Sequence, residues 1–205
     1  MIKHALLLSA IICTPYVSAT ENFFYLGAKG GLETLRAKPT QLVSYNTSGL
    51  SESIAGVYAG YRVPFSSAFS AAVEIDTMSH NHLLEYTGNA VNYEAELGNT
   101  KALGIILKHH YTPLVDFNLR YSVISSEVSF NPESDTKDVT KEDLTGYQLG
   151  IGFDLMNQTQ MSFRVEYVYS NYGDTALYPN PSATDSADKT ELRGSSIVIG
   201  AHYRF

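Results

Sequence analysis

Glu74, Lys108, Asp154 and Arg164 each interrupt a stretch in which large apolar residues alternate with small or polar ones. Glu74 lies between Val73 and Ile75, Lys108 follows Leu107, Asp154 follows Phe153, and Arg164 lies between Phe163 and Val165. Each therefore falls on the polar side of its stretch. Two acids and two bases form a neutral set, and charges removed from water must be paired. The chemistry to expect from them is ion pairing. Other reactive residue types are less well placed. His80 and His82 are two residues apart and His109 and His110 are adjacent, but nothing supplies further metal ligands at a usual spacing. Those four histidines are expected in a long loop and at a rim. No Gly-x-Ser-x-Gly elbow occurs, and no nucleophile and base can be set on neighbouring strands, so a non-enzyme is expected. The run 132–143 is acidic without calcium-loop spacing. It reads as a solvated loop that divalent cations could bridge to anionic lipid head groups.

The elements that must position these residues are strands. Period-two alternation recurs over 23–31, 54–63, 69–78, 101–111, 115–126, 144–155, 161–170 and 193–205. No segment shows a helical period. The connections alternate in length: short over 64–68, 112–114 and 156–160, long over 32–53, 79–100, 127–143 and 171–192. Pro39, Pro64, Pro113, Pro132, Pro179 and Pro181 fall in these connections, as expected of a residue with no donor for a sheet ladder. An even strand number, short turns at one end and long loops at the other describe an all-β, eight-stranded antiparallel transmembrane barrel of up-and-down order.

A soluble sandwich or barrel would also alternate. The composition of the polar face separates the two. A solvated face would be rich in Lys, Glu and Thr, whereas this one carries Gly27, Gly56, Gly60, Gly104, Gly146, Gly150, Gly152 and Gly200. Glycine weakens a strand unless something must approach closely, and a narrow lumen supplies that need. The charges Lys29, Arg62, Asp76, Arg120, Glu166 and Arg204 lie on the same face as the first four. The long connections are strongly acidic, while the rest of the chain is nearly balanced.

The net charge of −7 disfavours nucleic acid as a partner, and with Cys13 as the single cysteine there is no disulfide framework. Residues 1–19 combine Lys3, an apolar core and small residues at Val17-Ser18-Ala19, the pattern of a secretory signal peptide. The barrel domain is then 20–205. No cofactor is expected.

The motifs now in order resemble the OmpA-like transmembrane β-barrel family. Phe24-Tyr25-Leu26-Gly27-Ala28-Lys29 is similar to its first strand, and Ala55-Gly56-Val57-Tyr58-Ala59-Gly60-Tyr61 to its second. Arg164-Val165-Glu166-Tyr167 with Asn171-Tyr172-Gly173-Asp174 resembles its seventh strand and loop, and Ile199 to Phe205 its closing strand. The resemblance covers the barrel without the periplasmic peptidoglycan-binding domain of the best-known members, so cell-wall anchoring is not expected. It implies residence in a Gram-negative outer membrane, among phospholipid and lipopolysaccharide. It also implies that Glu74, Lys108, Asp154 and Arg164 form a charged gate in the lumen. A plug of salt bridges and a narrow gated pore both fit such a set. The expected pairs are Arg164 with Glu74 and Lys108 with Asp154, Arg164 opening a path by exchanging to Asp154. Tyr203 and Phe205 resemble the C-terminal signal read by the barrel-assembly machinery. The function implied is outer-membrane integrity with or without a pore; the alternative is an adhesin or host-interaction barrel acting through its loops.

Overall fold

Residues that alternate between two environments form a wall with two unlike faces, and in this chain the wall closes on itself. The computed structural model describes residues 22–39, 51–80, 82–88, 91–132, 140–156, 160–175 and 190–205. The expected signal peptide, 1–19, lies outside the described residues. The strands are β1 (Phe23–Pro39), β2 (Ser51–Pro64), β3 (Phe69–His80), β4 (His82–Gly88), β5 (Val91–Thr112), β6 (Val115–Pro132), β7 (Thr140–Met156), β8 (Met161–Thr175) and β9 (Thr190–Arg204). Apart from β3 and β4, neighbours in sequence pair antiparallel; β1 pairs with β9, and β3 and β4 both lie along β5. β3 and β4 are thus two lengths of one stave, and the barrel is a closed eight-stranded meander. Closure leaves no open edge in the wall, which is what hydrocarbon demands of a backbone.

Outside, the wall carries Phe24, Leu26, Val73, Ile75, Ile105 and Ile199, each more than half exposed. A continuous apolar band of this kind is foreign to water and suits lipid. The short turns lie at the end where the chain leaves β9, and there the Phe205 N–H donates to the Phe24 carbonyl at 2.8 Å. Short turns identify that end as periplasmic.

The strands run further than their alternation indicates. A tilted crossing needs about 9–11 residues, yet β5 has 22 and β6 has 18. Much of the expected long connections 32–53, 79–100, 127–143 and 171–192 is therefore strand that continues the staves toward the extracellular side. Pro39, Pro64 and Pro132 are the last residues of strands rather than loop residues, positions where a missing donor costs no ladder bond. Pro179 and Pro181 lie outside the described residues. Longer strands hide from alternation where their register shifts. One such shift, between Asn171 and Gly173, is a bulge with Gly173 at φ 97°, a conformation that favours glycine. The Asn171 side-chain oxygen accepts the Gly173 N–H at 2.9 Å.

Extending the strands also changes the lumen. Its extracellular half is filled largely by apolar residues, among them Leu35, Leu97, Ile124, Val128, Leu144 and Leu192, beside the buried Glu33, His80 and Thr100. Leu35, Leu97, Val128 and Leu192 come from segments expected to be loops. A second cluster, Ile54, Met78, Val168 and Val198, also lies inside.

Candidate functional site: the charged lumen

Below these clusters the lumen is ionic. Alternation turns Glu74 of β3, Lys108 of β5, Asp154 of β7 and Arg164 of β8 inward, and all four are buried. A narrow barrel has room for long charged side chains only if something opposite is small. Glu74 has Gly60 and Gly104 as its cross-strand partners, Arg120 has Gly150, Glu166 has Gly152, and Arg164 has Gly200. Lys29 lies between Gly56 and Gly200. The glycines of the polar face are the space into which the charges fold.

Both expected ion pairs are present, but they are not separate. The Arg164 Nη1 donates to Glu74 Oε2 at 2.8 Å while its Nε donates to Asp154 Oδ1 at 2.8 Å. Lys108 donates to Asp154 Oδ2, and Asn118 donates to Asp154 Oδ1 at 3.1 Å. Arg164 therefore holds both carboxylates at once, and the two pairings that the expected exchange would alternate between are present together. The physical reason is reach. Asp154 and Arg164 are direct cross-strand partners on β7 and β8, so the guanidinium crosses the lumen to Glu74 without leaving its neighbour.

The set is also larger than four. Arg120 of β6 donates through Nη2 to Glu74 Oε1 at 2.5 Å, through Nη1 to Asp76 Oδ2 at 3.1 Å and through Nε to Glu166 Oε1 at 2.9 Å. Lys29 lies 2.9 Å from Asp76. Glu74, Asp76, Asp154 and Glu166 are thus matched by Lys29, Lys108, Arg120 and Arg164, and the network is neutral. Arg120 touches three carboxylates on two other staves, a convergence that exists only after closure.

Aromatic rings floor the network. The Tyr25 hydroxyl donates to Glu74 Oε2 at 2.8 Å, and the Arg164 guanidinium lies 5.1 Å from the Tyr58 ring centre. Tyr58 in turn bonds His202 Nδ1 at 3.0 Å. A Cβ at Gly60 would strike the Tyr25 ring.

Two of the ten expected lumen charges stand apart, at the periplasmic end. Arg62 is buried and donates from Nε to Ser70 Oγ at 2.9 Å and from Nη2 to His110 Nε2 at 2.7 Å. Because a guanidinium only donates, Nε2 accepts, and Nδ1–H faces Asp116 Oδ1 at 2.6 Å. His110 is thus a lumen residue rather than a rim residue, while His109 points outward. Arg204, half-buried at the same end, lies 5.8 Å from the Phe23 ring centre.

His80 is likewise not in a loop. It ends β3 with its ring inside, 2.9 Å from Glu33 through Nδ1 and 2.8 Å from Thr100 Oγ1 through Nε2. Thr100 shares a 2.6 Å bond with Ser126, and the Tyr172 hydroxyl donates to Glu33 at 2.8 Å. Acid, imidazole and hydroxyl stand in the order that activates a nucleophile. The Thr100 side chain is nevertheless sealed inside the lumen and already shared with Ser126, so the chain of bonds braces the apolar half of the barrel. Alternation does not reveal this contact, because Glu33 and Thr100 lie in segments that the sequence pattern places in long connections.

A family model described as the outer membrane protein beta-barrel domain matches residues 5–205. Among solved structures, the fold is similar to Neisserial surface protein A, with a TM-score of 0.56 at 12% identity over 89% of this chain and 97% of that one. It is also similar to Ail, the attachment invasion locus protein of Yersinia pestis, with a TM-score of 0.54 at 12% identity over 88% of this chain and 98% of that one. Among curated proteins none matches. At such identity the likeness to solved structures concerns the fold. With its closed wall, apolar outer band and family match over nearly its whole length, the chain belongs to the outer membrane protein β-barrel domain family and is an integral barrel of the outer membrane.

Proposed function

We propose that this barrel is a plugged structural element of a Gram-negative outer membrane, supporting envelope integrity, and that its charged lumen is a plug rather than a gate. The observation that carries the reading is the simultaneous hold of Arg164 on Glu74 and Asp154. A gate needs a second arrangement of similar energy, and here every carboxylate of the network already has a cation. The layer above adds a second seal, since Leu97, Ile124, Val128 and Leu192 fill it and its buried polar groups, Glu33, His80 and Thr100, already bond one another. The reading is non-enzymatic. Its partners are outer-membrane phospholipid and lipopolysaccharide around the wall and, during biogenesis, the barrel-assembly machinery reading Tyr203 and Phe205. The test is a strain deleted for the gene. Sensitivity to detergent and to bulky antibiotics, restored by the parent barrel, supports integrity.

One observation favours a second reading, surface attachment. The staves continue well past the length of a crossing, β4 and β5 pairing from His82↔Leu97 to Gly88↔Val91. Such an extension holds loops clear of the lipopolysaccharide surface. Loss of attachment to host surfaces with an intact permeability barrier would favour it over the first.

A further inference from the structure

Near the periplasmic end, four outward residues stand abreast on adjacent staves. Phe69 of β3 is the register partner of His109 of β5, His109 of Phe117 of β6, and Phe117 of Phe153 of β7. Three are phenyl rings, in keeping with an aromatic girdle. The fourth is an imidazole, whose ring centre lies 4.8 Å from that of Phe69. Among the described residues none hydrogen-bonds the His109 ring, in contrast to His110 beside it, which is engaged on both nitrogens.

Next to His109 is a groove of about 430 Å³ walled by Phe65, Phe69, Leu107, Phe117 and Leu119. Phe65 and Phe69 stack at 6.3 Å and 10° to form one lip. The volume is that of a small-ligand site.

The groove lies in the face already assigned to lipid, so its occupant comes from the bilayer. We propose that His109 and this groove bind one glycerophospholipid of the periplasmic leaflet, an acyl chain lying along Phe65, Phe69, Leu107 and Phe117 and the phosphate accepting a hydrogen bond from the His109 ring. An imidazole is the only member of the row that can donate to an anion, and the girdle is the depth at which phosphate is found. A second copy of the barrel fits less well, because two concave faces related by a two-fold axis would enclose a void.

Native mass spectrometry of the detergent-solubilised barrel, titrated with phosphatidylglycerol, tests this. The parent should retain one lipid. His109→Phe, which completes the row of rings but removes the donor, should weaken retention about tenfold, the scale of one hydrogen bond to a charged group. Leu107→Trp, which fills the groove, should weaken it similarly, whereas Phe163→Leu on the lipid face of β8 should not. Diacylglycerol should bind parent and His109→Phe alike and weakly, and inorganic phosphate should not compete. Equal retention by the parent and either the His109 or the Leu107 variant would overturn the site. So would displacement by inorganic phosphate, or a second copy of the chain in place of the lipid.

Discussion

Arg164 spans the lumen between Asp154, its cross-strand neighbour, and Glu74 on a distant stave, at 2.8 Å to each. One guanidinium thereby ties β8 to both β7 and β3 through the interior, in addition to the backbone ladder. The fork geometry of arginine makes this double contact feasible, and a lysine has no equivalent.

Arg164→Met should leave two buried carboxylates short of a partner. We expect a loss of about 3–5 kcal/mol, the usual cost of breaking a buried pair from one side. Arg164→Lys should recover only part of it, since an ammonium cannot reach both oxygens. Urea unfolding in lipid vesicles, followed by the shift in migration between boiled and unboiled samples, gives both values. Full stability of Arg164→Lys would mean that the span is not what holds the staves.

Gly60 is small because Tyr25 lies against it. Gly60→Ala should push the Tyr25 ring off Glu74 and cost about 1–3 kcal/mol, the range for overpacking a filled interior. The cost should fall in a Tyr25→Leu background, because the colliding ring is gone. A double-mutant cycle reads the coupling. Equal costs in both backgrounds would place the effect in the strand backbone instead.

Phe205 ends the chain outside the last strand, its ring 5.0 Å from that of Tyr203 and 71% exposed. A side chain this open contributes little to folded stability. Deleting Phe205 should nevertheless lower the amount of assembled barrel in cells several-fold, while refolding of the purified chain into vesicles changes little. A matched loss in both assays would make Phe205 an ordinary girdle residue.

The barrel was legible in the sequence because two-residue periodicity and the placement of glycine are local signals. Lys29, Glu74, Asp76, Lys108, Arg120, Asp154, Arg164 and Glu166 could all be assigned to one face on that basis. The partners of Arg120 could not, because its contacts with Asp76 and Glu166 join staves far apart in the chain. The strand ends were hidden for a different reason. Beyond the membrane both faces of a stave meet mixed surroundings, and Glu33, Leu35 and Leu97 do not alternate against a lipid face. The apolar half of the lumen and the His80–Thr100 contact went with them.

Single-channel recording in planar bilayers reads whether the lumen is sealed. The parent barrel should show no steady conductance. Lys108→Met should lower stability by removing one of the cations on Asp154, yet leave conductance at the parent level, because Arg164 already occupies that carboxylate. Stable openings in the parent, or a conductance that rises in Lys108→Met, would contradict the plug and restore the gate.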